Sequence, residues 1–160
     1  MPRHHRNARI LLDANVFIDI AVARMKGQSC PEFEKMKREH QYLIKSTRLL
    51  KHYVGVIANK RGMRGQPLLR IMYEELRSVN INDNNANRHE PPFRVSHSRD
   101  RFLYGIVIEA KGHNRHQVIL VSNDPDQTTN SARMLTHENI PIVDAQTYVD
   151  EYCQSPANGD

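Results

Sequence analysis

Apolar residues in this chain fall into short runs of strand length that alternate with longer stretches of helical spacing. Residues 9–17, which include Ile10-Leu11-Leu12, predict a buried strand, as Val118-Ile119-Leu120-Val121 does near the other end of the chain. The β-branched segment Tyr53–Ile57 predicts a short second strand, and Pro141–Val143 predicts another. Strands are therefore expected in widely separated parts of the chain.

Helices are predicted between these strands from apolar residues three or four positions apart. The longest runs over 31–50, where Pro31 stands at a favourable first position. Pro67 opens another helix that reaches about Val79, and the Asn- and Asp-rich residues 80–97 after it are expected to form a long loop. Further helices are expected over 102–110, 127–138 and 145–152.

This alternation predicts an α/β protein. We expect a three-layer α/β/α fold with a central parallel sheet of four or five short strands flanked by helices. The chain has 160 residues, enough for one domain with a substantial core. Residues 9–152 are expected to form that domain, residues 1–8 a flexible basic arm, and residues 153–160 a disordered tail.

The charge of the chain bears on its possible partners. The formal net charge is +5, which suits a nucleic-acid ligand but is explained equally well as charge that keeps the protein soluble. The two cysteines, Cys30 and Cys153, cannot form a disulfide framework, so a reducing cytoplasm is the expected compartment. No apolar run approaches the roughly 20 residues of a membrane span, and no membrane partner is expected.

Acidic residues follow closely after the two most apolar strands. Asp13 comes after Leu12, and Asp124 comes shortly after Val121. The carboxyl ends of parallel strands form the crevice where open α/β sheets bind ligands. The two acids therefore predict a shared site, although a helix cap for Asp13 and an Asx turn for Asp124 are the simpler alternatives.

Other acids are weaker candidates from the sequence alone. Asp100 lies in the first turn of a predicted helix, where the helix dipole alone would favour a carboxylate, and Asp126 has the same simple explanation. Glu75 borders the apolar stripe of its predicted helix, whereas Glu74 falls nearly opposite that stripe. Glu75 is the better candidate of the two, with Glu74 as the alternative.

The order of these residues resembles that of the PIN-domain ribonucleases. Leu11–Ile18, with Asp13-Ala14-Asn15, resembles the family's opening motif, and Val121–Asp126 is similar to its final acidic segment. Glu75-Leu76 and Asp100 fall in the family's order between them. The chain departs from the family pattern at Ala14, where threonine is frequent, and at Gln127, where an aromatic residue often stands.

The resemblance implies a metal-dependent endoribonuclease that cleaves single-stranded RNA with Mg²⁺ or Mn²⁺, either as the toxin of a toxin–antitoxin pair or as an RNA-processing nuclease. It implies that Asp13, Asp100 and Asp124 are metal ligands and that Glu75 is a ligand or a base that orients water. Three further residues would support these ligands: Asn15, Ser122 and Asp126. A protein antitoxin or another regulator, and a second copy of the chain, are expected partners.

Basic residues next to the glycines of segment 60–65 are candidates for binding the RNA backbone: Lys60, Arg61 and Arg64. A solvated loop explains each of them equally well. Two other functions remain open. A non-catalytic RNA-binding or scaffold protein on the same fold would keep the carboxylates without the catalytic geometry. A phosphotransferase with an Asp at a strand end is disfavoured, because Asn15 stands where one such class needs a second Asp.

Overall fold

The computed structural model describes residues 6–91, 98–124 and 138–152, with 98–100 and 151–152 described by their backbone alone. Its strands are β1 (Arg9–Leu12), β2 (Tyr42–Lys45), β3 (Arg77–Asn80), β4 (Val118–Val121) and β5 (Ile142–Val143). They form one sheet in the order β3-β2-β1-β4-β5, and every neighbouring pair is parallel. The predicted α/β class with a central parallel sheet is confirmed.

Helices cover this sheet. They are α1 (Ala14–Met25), α2 (Pro31–Arg38), α3 (Thr47–Arg61), α4 (Gly65–Glu75), α5 (Asp83–Ala86), α6 (Ser98–Lys111) and α7 (Ala145–Tyr152). The chain order reverses between β1 and β4, and right-handed crossovers then place helices on both faces of the sheet. Accordingly α1 contacts α3 and α4, whereas α6 contacts α5, β1 and β4.

The long helix predicted over 31–50 is wrong. Helix α2 ends at Arg38, His40 takes a positive φ of 52°, and β2 begins at Tyr42. The consecutive residues Leu43 and Ile44 are both buried, as expected for a strand covered on both faces. The helical spacing arose because apolar residues of two helices and a strand happened to fall three or four positions apart.

The strand predicted at Tyr53–Ile57 is also wrong, because these residues lie inside α3. The Ser46 hydroxyl accepts a hydrogen bond from the Leu49 amide (3.0 Å) and caps the start of the helix. Leu49, Tyr53 and Ile57, spaced four residues apart, are buried on one side of it. Packing of that face outweighs the β-propensity of the valines in this segment.

The helix predicted from Pro67 to Val79 is confirmed only as far as Glu75. Residues 77–80 instead form β3, which pairs with β2 so that Tyr42 lies opposite Arg77. The predicted loop over 80–97 contains the short helix α5, and residues 92–97 lie outside the described part.

The strand predicted over 9–17 is confirmed only for Arg9–Leu12, because the residues from Ala14 onward form α1. Three later predictions hold. Strand β4, strand β5 and the final helix have the expected places. The predicted 127–138 helix, except for its last residue, and the predicted tail over 153–160 lie outside the described residues, as do residues 1–5 of the arm. Ala8 is buried and the Asn7 amide donates to the Glu39 carbonyl (3.0 Å), so packing begins before β1.

None of the described helices combines the length and the apolar character that crossing a membrane requires.

Candidate active site

The crevice of this sheet lies between β1 and β4. Chain connections run from β1 towards β3 on one side, and β4 and β5 lie on the other. Such a switch in strand order opens a crevice at the carboxyl ends of the strands. Leu12 and Val121 are paired at these ends, so the residues that follow them, Asp13 and Ser122, face each other across the crevice.

Asp13 is held there by its backbone and by one neighbour. Its amide donates to the Val121 carbonyl at 2.9 Å, and its carboxylate accepts a hydrogen bond from the Ser122 hydroxyl at 3.3 Å. Asp13 occupies the N-cap position of α1, but within the described residues its carboxylate makes no capping hydrogen bond. Helix capping therefore does not explain this half-buried acid.

Asp124 lies on the other side of the same hydroxyl. Its backbone amide donates to the Ser122 hydroxyl at 3.2 Å, and its side chain is exposed. Ser122 thus links the two acids, with one hydrogen bond to the Asp13 carboxylate and one to the Asp124 backbone. The structure brings Ser122 next to the Asp13 carboxylate and the Asp124 backbone, and a site shared by the two carboxylates stays a prediction.

Asn123, between them, has a structural task. Its side-chain oxygen accepts a hydrogen bond from the Ala145 amide (2.9 Å) and so holds the start of α7 against the crevice. Asp144 caps the same helix through its bond from the Thr147 amide (2.6 Å), and this bond lowers the pKa of Asp144. Helix capping therefore explains Asp144.

Helix α6 begins at the same edge of the sheet. The Arg48 guanidinium, in the first turn of α3 just after β2, lies 4.4 Å from the centre of the Phe102 ring. Near the other end of α6, the Ala110 carbonyl accepts a hydrogen bond (2.9 Å) from the guanidinium of Arg9, the first residue of β1. The helix therefore runs from the carboxyl edge to the amino edge of the sheet. The backbone of Asp100, in its first turn, lies at the carboxyl edge, while its side chain is outside the described part.

Glu75 lies at the opposite edge. It is the last residue of α4 and precedes β3, whereas Asp13 follows β1. Because the strands are parallel, a four-residue strand separates the two levels by about 13 Å, at about 3.3 Å per residue. Glu74 is in the same position and pairs with Arg70 at 3.8 Å. The structure does not bring either glutamate to Asp13, and the metal-ligand role expected of Glu75 has no geometric support.

Two of the predicted basic residues reach α1 near Asp13. Lys60 and Arg61 are the last residues of α3, and Arg64 is the N-cap of α4, so only residues 62–64 of the expected loop segment lie between the two helices. The Lys60 ammonium donates to the Asn15 side-chain oxygen at 2.7 Å, and Arg61 pairs with Asp19 at 2.9 Å. Lys60 thus places a positive charge beside the residue two positions after Asp13.

Tyr53 is a neighbour of Asp13 that sequence reasoning missed. Its buried hydroxyl donates to the Leu12 carbonyl at 2.6 Å, and its ring stacks on Phe17 with 4.2 Å between centres. Burial raises its pKa, and the nearby ring of Tyr73 and carboxylate of Asp13 act in the same direction. The four-residue spacing of Leu49, Tyr53 and Ile57 could have revealed the helix that carries it.

The donor set fits a hard divalent cation only in part. Oxygen ligands are what Mg²⁺ and Mn²⁺ prefer, and Mg²⁺ often uses one or two carboxylates together with water and phosphate. Asp13 and Asp124 could supply those carboxylates. Over the described residues, however, no group of three or more His, Cys, Asp or Glu side chains is close enough to hold a metal. Asp126 lies outside the described part, so its supporting role stays a prediction.

Comparison with known proteins does not assign a family. No family model matches the sequence, and no curated protein matches it.

Proposed function

We propose that this chain is a Mg²⁺- or Mn²⁺-dependent endoribonuclease that cleaves single-stranded RNA at the crevice between β1 and β4. The observation that carries the proposal is the Asp13 carboxylate. It lies at the strand-order switch, is half-buried, and is not used to cap α1. Open α/β sheets bind ligands at this switch in strand order. A carboxylate that lies there and does not cap its helix is a candidate for ligand binding.

The residues around Asp13 have separate roles in this proposal. Asp13 and Asp124 would hold the cation, and the Ser122 hydroxyl would orient Asp13 through its 3.3 Å hydrogen bond. When bound, the cation would activate the attacking water and stabilise the charge that develops on the phosphate. The backbone position of Asp100 suits a third carboxylate of the same set.

Lys60 would bind the RNA backbone beside this site. Its ammonium lies 2.7 Å from the Asn15 side-chain oxygen, so a phosphate at Asp13 would meet a positive charge at close range. The net charge of +5 supports the attraction of a polyanion to the rest of the surface.

Cleavage of a labelled single-stranded RNA of mixed sequence tests the proposal. The purified chain should cleave it in MnCl₂ and not in EDTA. Asp13→Asn should lower the rate by about a hundredfold or more, because it removes a charged ligand where charge develops in the transition state. Circular dichroism would verify that the variant is folded.

The matched control is Asp150→Asn. This residue is exposed on α7 and accepts a hydrogen bond only from its own helix, from Gln146 at 2.8 Å, among the contacts described. Its rate should stay within twofold of the original chain. Cleavage that persists in EDTA, or in the Asp13→Asn variant, would contradict the proposal.

A non-catalytic RNA-binding protein is the second candidate. It is favoured by the position of Glu75 at the far edge and by the lack of a three-ligand group among the described side chains. RNA binding without any Mn²⁺ binding at millimolar concentration would decide for this function.

A further inference from the structure

A cleft of about 220 Å³ lies beside the crevice, between α1, the start of α2 and the turn after β4. Its apolar wall is one stripe of α1, formed by Val16, Ile20 and Ala23, which recur at helical spacing. Pockets for drug-sized ligands measure roughly 300–1,000 Å³, so this cleft suits a single planar ring system.

The cleft adjoins the Asp13 site. Val16 lies three positions after Asp13, about 5 Å along the axis of α1. On the other side, Asn123 lines the cleft and directly follows Ser122, whose hydroxyl binds the Asp13 carboxylate. A nucleotide whose phosphate lies at Asp13 could therefore place its base, or that of its neighbour, in the cleft.

Two carboxylates, Glu32 and Asp19, belong to the polar part of the lining, together with the Ser29 hydroxyl and the Asn123 side-chain amide. Glu32, half-buried in the first turn of α2, uses one carboxylate oxygen to accept from the Cys30 thiol at 3.2 Å. Asp19 accepts from Arg61 at 2.9 Å at the rim of the cleft. Each carboxylate has more acceptor positions than these contacts use.

Cys30 reinforces the Glu32 carboxylate as an acceptor site. Burial raises the pKa of the Cys30 thiol to about 11, with the Glu32 carboxylate acting in the same direction. The thiol therefore stays protonated at neutral pH and continues to donate to Glu32. This contact helps fix the orientation of the carboxylate inside the cleft.

We propose that the cleft binds a nucleobase with an exocyclic amino group (cytosine, adenine or guanine) next to the phosphate held at Asp13, and disfavours uracil. The inference rests on the proposed function, which supplies single-stranded RNA as the ligand. Bases of single-stranded RNA are read when they are splayed into pockets and hydrogen-bonded at their edges. A carboxylate accepts from an amino group such as N4 of cytosine, whereas uracil presents a carbonyl oxygen in that place.

Binding of mononucleotides to the full chain tests this proposal. Cytidine 5′-monophosphate and uridine 5′-monophosphate would each be titrated in MgCl₂ while backbone amide shifts are recorded by NMR. Shifts should concentrate at α1 and the start of α2, and the cytidine nucleotide should bind about tenfold more tightly, the order expected for one well-placed base contact.

Two variants with matched controls locate the contact. Glu32→Gln should bring the two affinities within about twofold, whereas Glu34→Gln should not, because Glu34 is exposed in the same helical turn and does not line the cleft. Ala23→Leu should fill the cleft and abolish the shifts for both nucleotides. Ala58→Leu, at an exposed position of α3, should leave them unchanged.

The outcomes separate this inference from the proposed function. Equal affinities for the two nucleotides, or a preference unaffected by Glu32→Gln, would overturn the inference even if RNA is cleaved at Asp13. If Ala23→Leu fails to fold, the Glu32→Gln comparison still decides. A base preference that depends on Glu32 in a chain without metal-dependent cleavage would support the cleft and overturn the nuclease.

Discussion

Asp13 and Lys60 at the carboxyl edge of the sheet make different contacts from Arg9 and Arg77 at its amino edge. At the carboxyl edge, Asp13 accepts from Ser122 and does not cap its helix, and Lys60 lies beside it on Asn15. At the amino edge, Arg9 donates to the Ala110 carbonyl at the end of α6, and the Arg77 guanidinium lies 5.8 Å from the centre of the Tyr42 ring.

The difference separates charges that hold the fold from charges that can bind a ligand. The amino-edge arginines satisfy a helix terminus and cover an aromatic ring of a neighbouring strand. The Asp13 carboxylate does neither of these. We therefore propose the carboxyl edge as the ligand-binding edge, and the substitutions below test whether the two edges can be disturbed independently.

Gly105→Ala should have the largest effect, because α6 joins the two edges. A Cβ at Gly105 would lie 2.2 Å from the Ala86 carbonyl oxygen, so the backbone of α5 would have to move. We expect a loss of about 3 kcal/mol in the free energy of unfolding, measured by urea denaturation.

Gly55→Ala is the control for that substitution. Gly55 lies inside α3, and a Cβ there would meet no atom within 4 Å. Removing the conformational freedom of a helical glycine should stabilise the protein by about 0.5–1 kcal/mol. Equal effects of the two substitutions would show that α6 does not depend on close contact with α5.

Tyr53→Phe should have an intermediate effect. The Tyr53 hydroxyl is buried and donates to the Leu12 carbonyl just before Asp13, so its loss should cost about 1.5 kcal/mol. Tyr42→Phe at the amino edge should cost less than about 0.5 kcal/mol, since that hydroxyl is 3.5 Å from Arg77 at a half-exposed position. Thermal unfolding of both variants would rank the two hydroxyls, and the reverse ranking would contradict this description of the carboxyl edge.

Lys60→Met should have the smallest effect, on RNA binding alone. One phosphate contact is lost, so the slope of log affinity against log salt should fall by about one. Lys51→Met changes the net charge equally from an exposed position of the same helix, and it should alter the slope by less than half as much. Fluorescence anisotropy of a labelled RNA in EDTA, between 50 and 200 mM NaCl, is the measurement. If the slopes of the Lys60→Met and Lys51→Met variants are the same, Lys60 does not contact the RNA at this site.

The sequence predicted this edge well where an acid directly follows a strand. Apolar runs identified β1 and β4 without ambiguity, and parallel pairing then fixed the positions of Asp13 and Asp124. The backbone of Asp100 lies at this edge because α6 leads into β4, whereas its role as a metal ligand stays a prediction. In each case the prediction depended on one nearby element.

Prediction failed where the periodicity changed within a few residues. Residues 77–80 continue the helical spacing of α4 but form β3. Because the predicted helix ran past Glu75, the sequence did not show that Glu75 precedes a strand and therefore lies at the amino edge. Likewise, a helix was predicted at Tyr42, which lies in β2, and a strand was predicted at Tyr53, which lies in α3. Tertiary packing outweighs local propensity in these segments. The Lys60–Asn15 contact joins residues 45 positions apart, which no local pattern could reveal.

Calorimetric titration of Mn²⁺ into the chain tests the assignment of the metal to the carboxyl edge most directly. We predict a binding isotherm for the original chain, an affinity at least about tenfold lower for Asp13→Asn, and an unchanged affinity for Glu75→Gln. An Mn²⁺ affinity that Asp13→Asn leaves unchanged, or that Glu75→Gln lowers as much as Asp13→Asn does, would contradict the assignment.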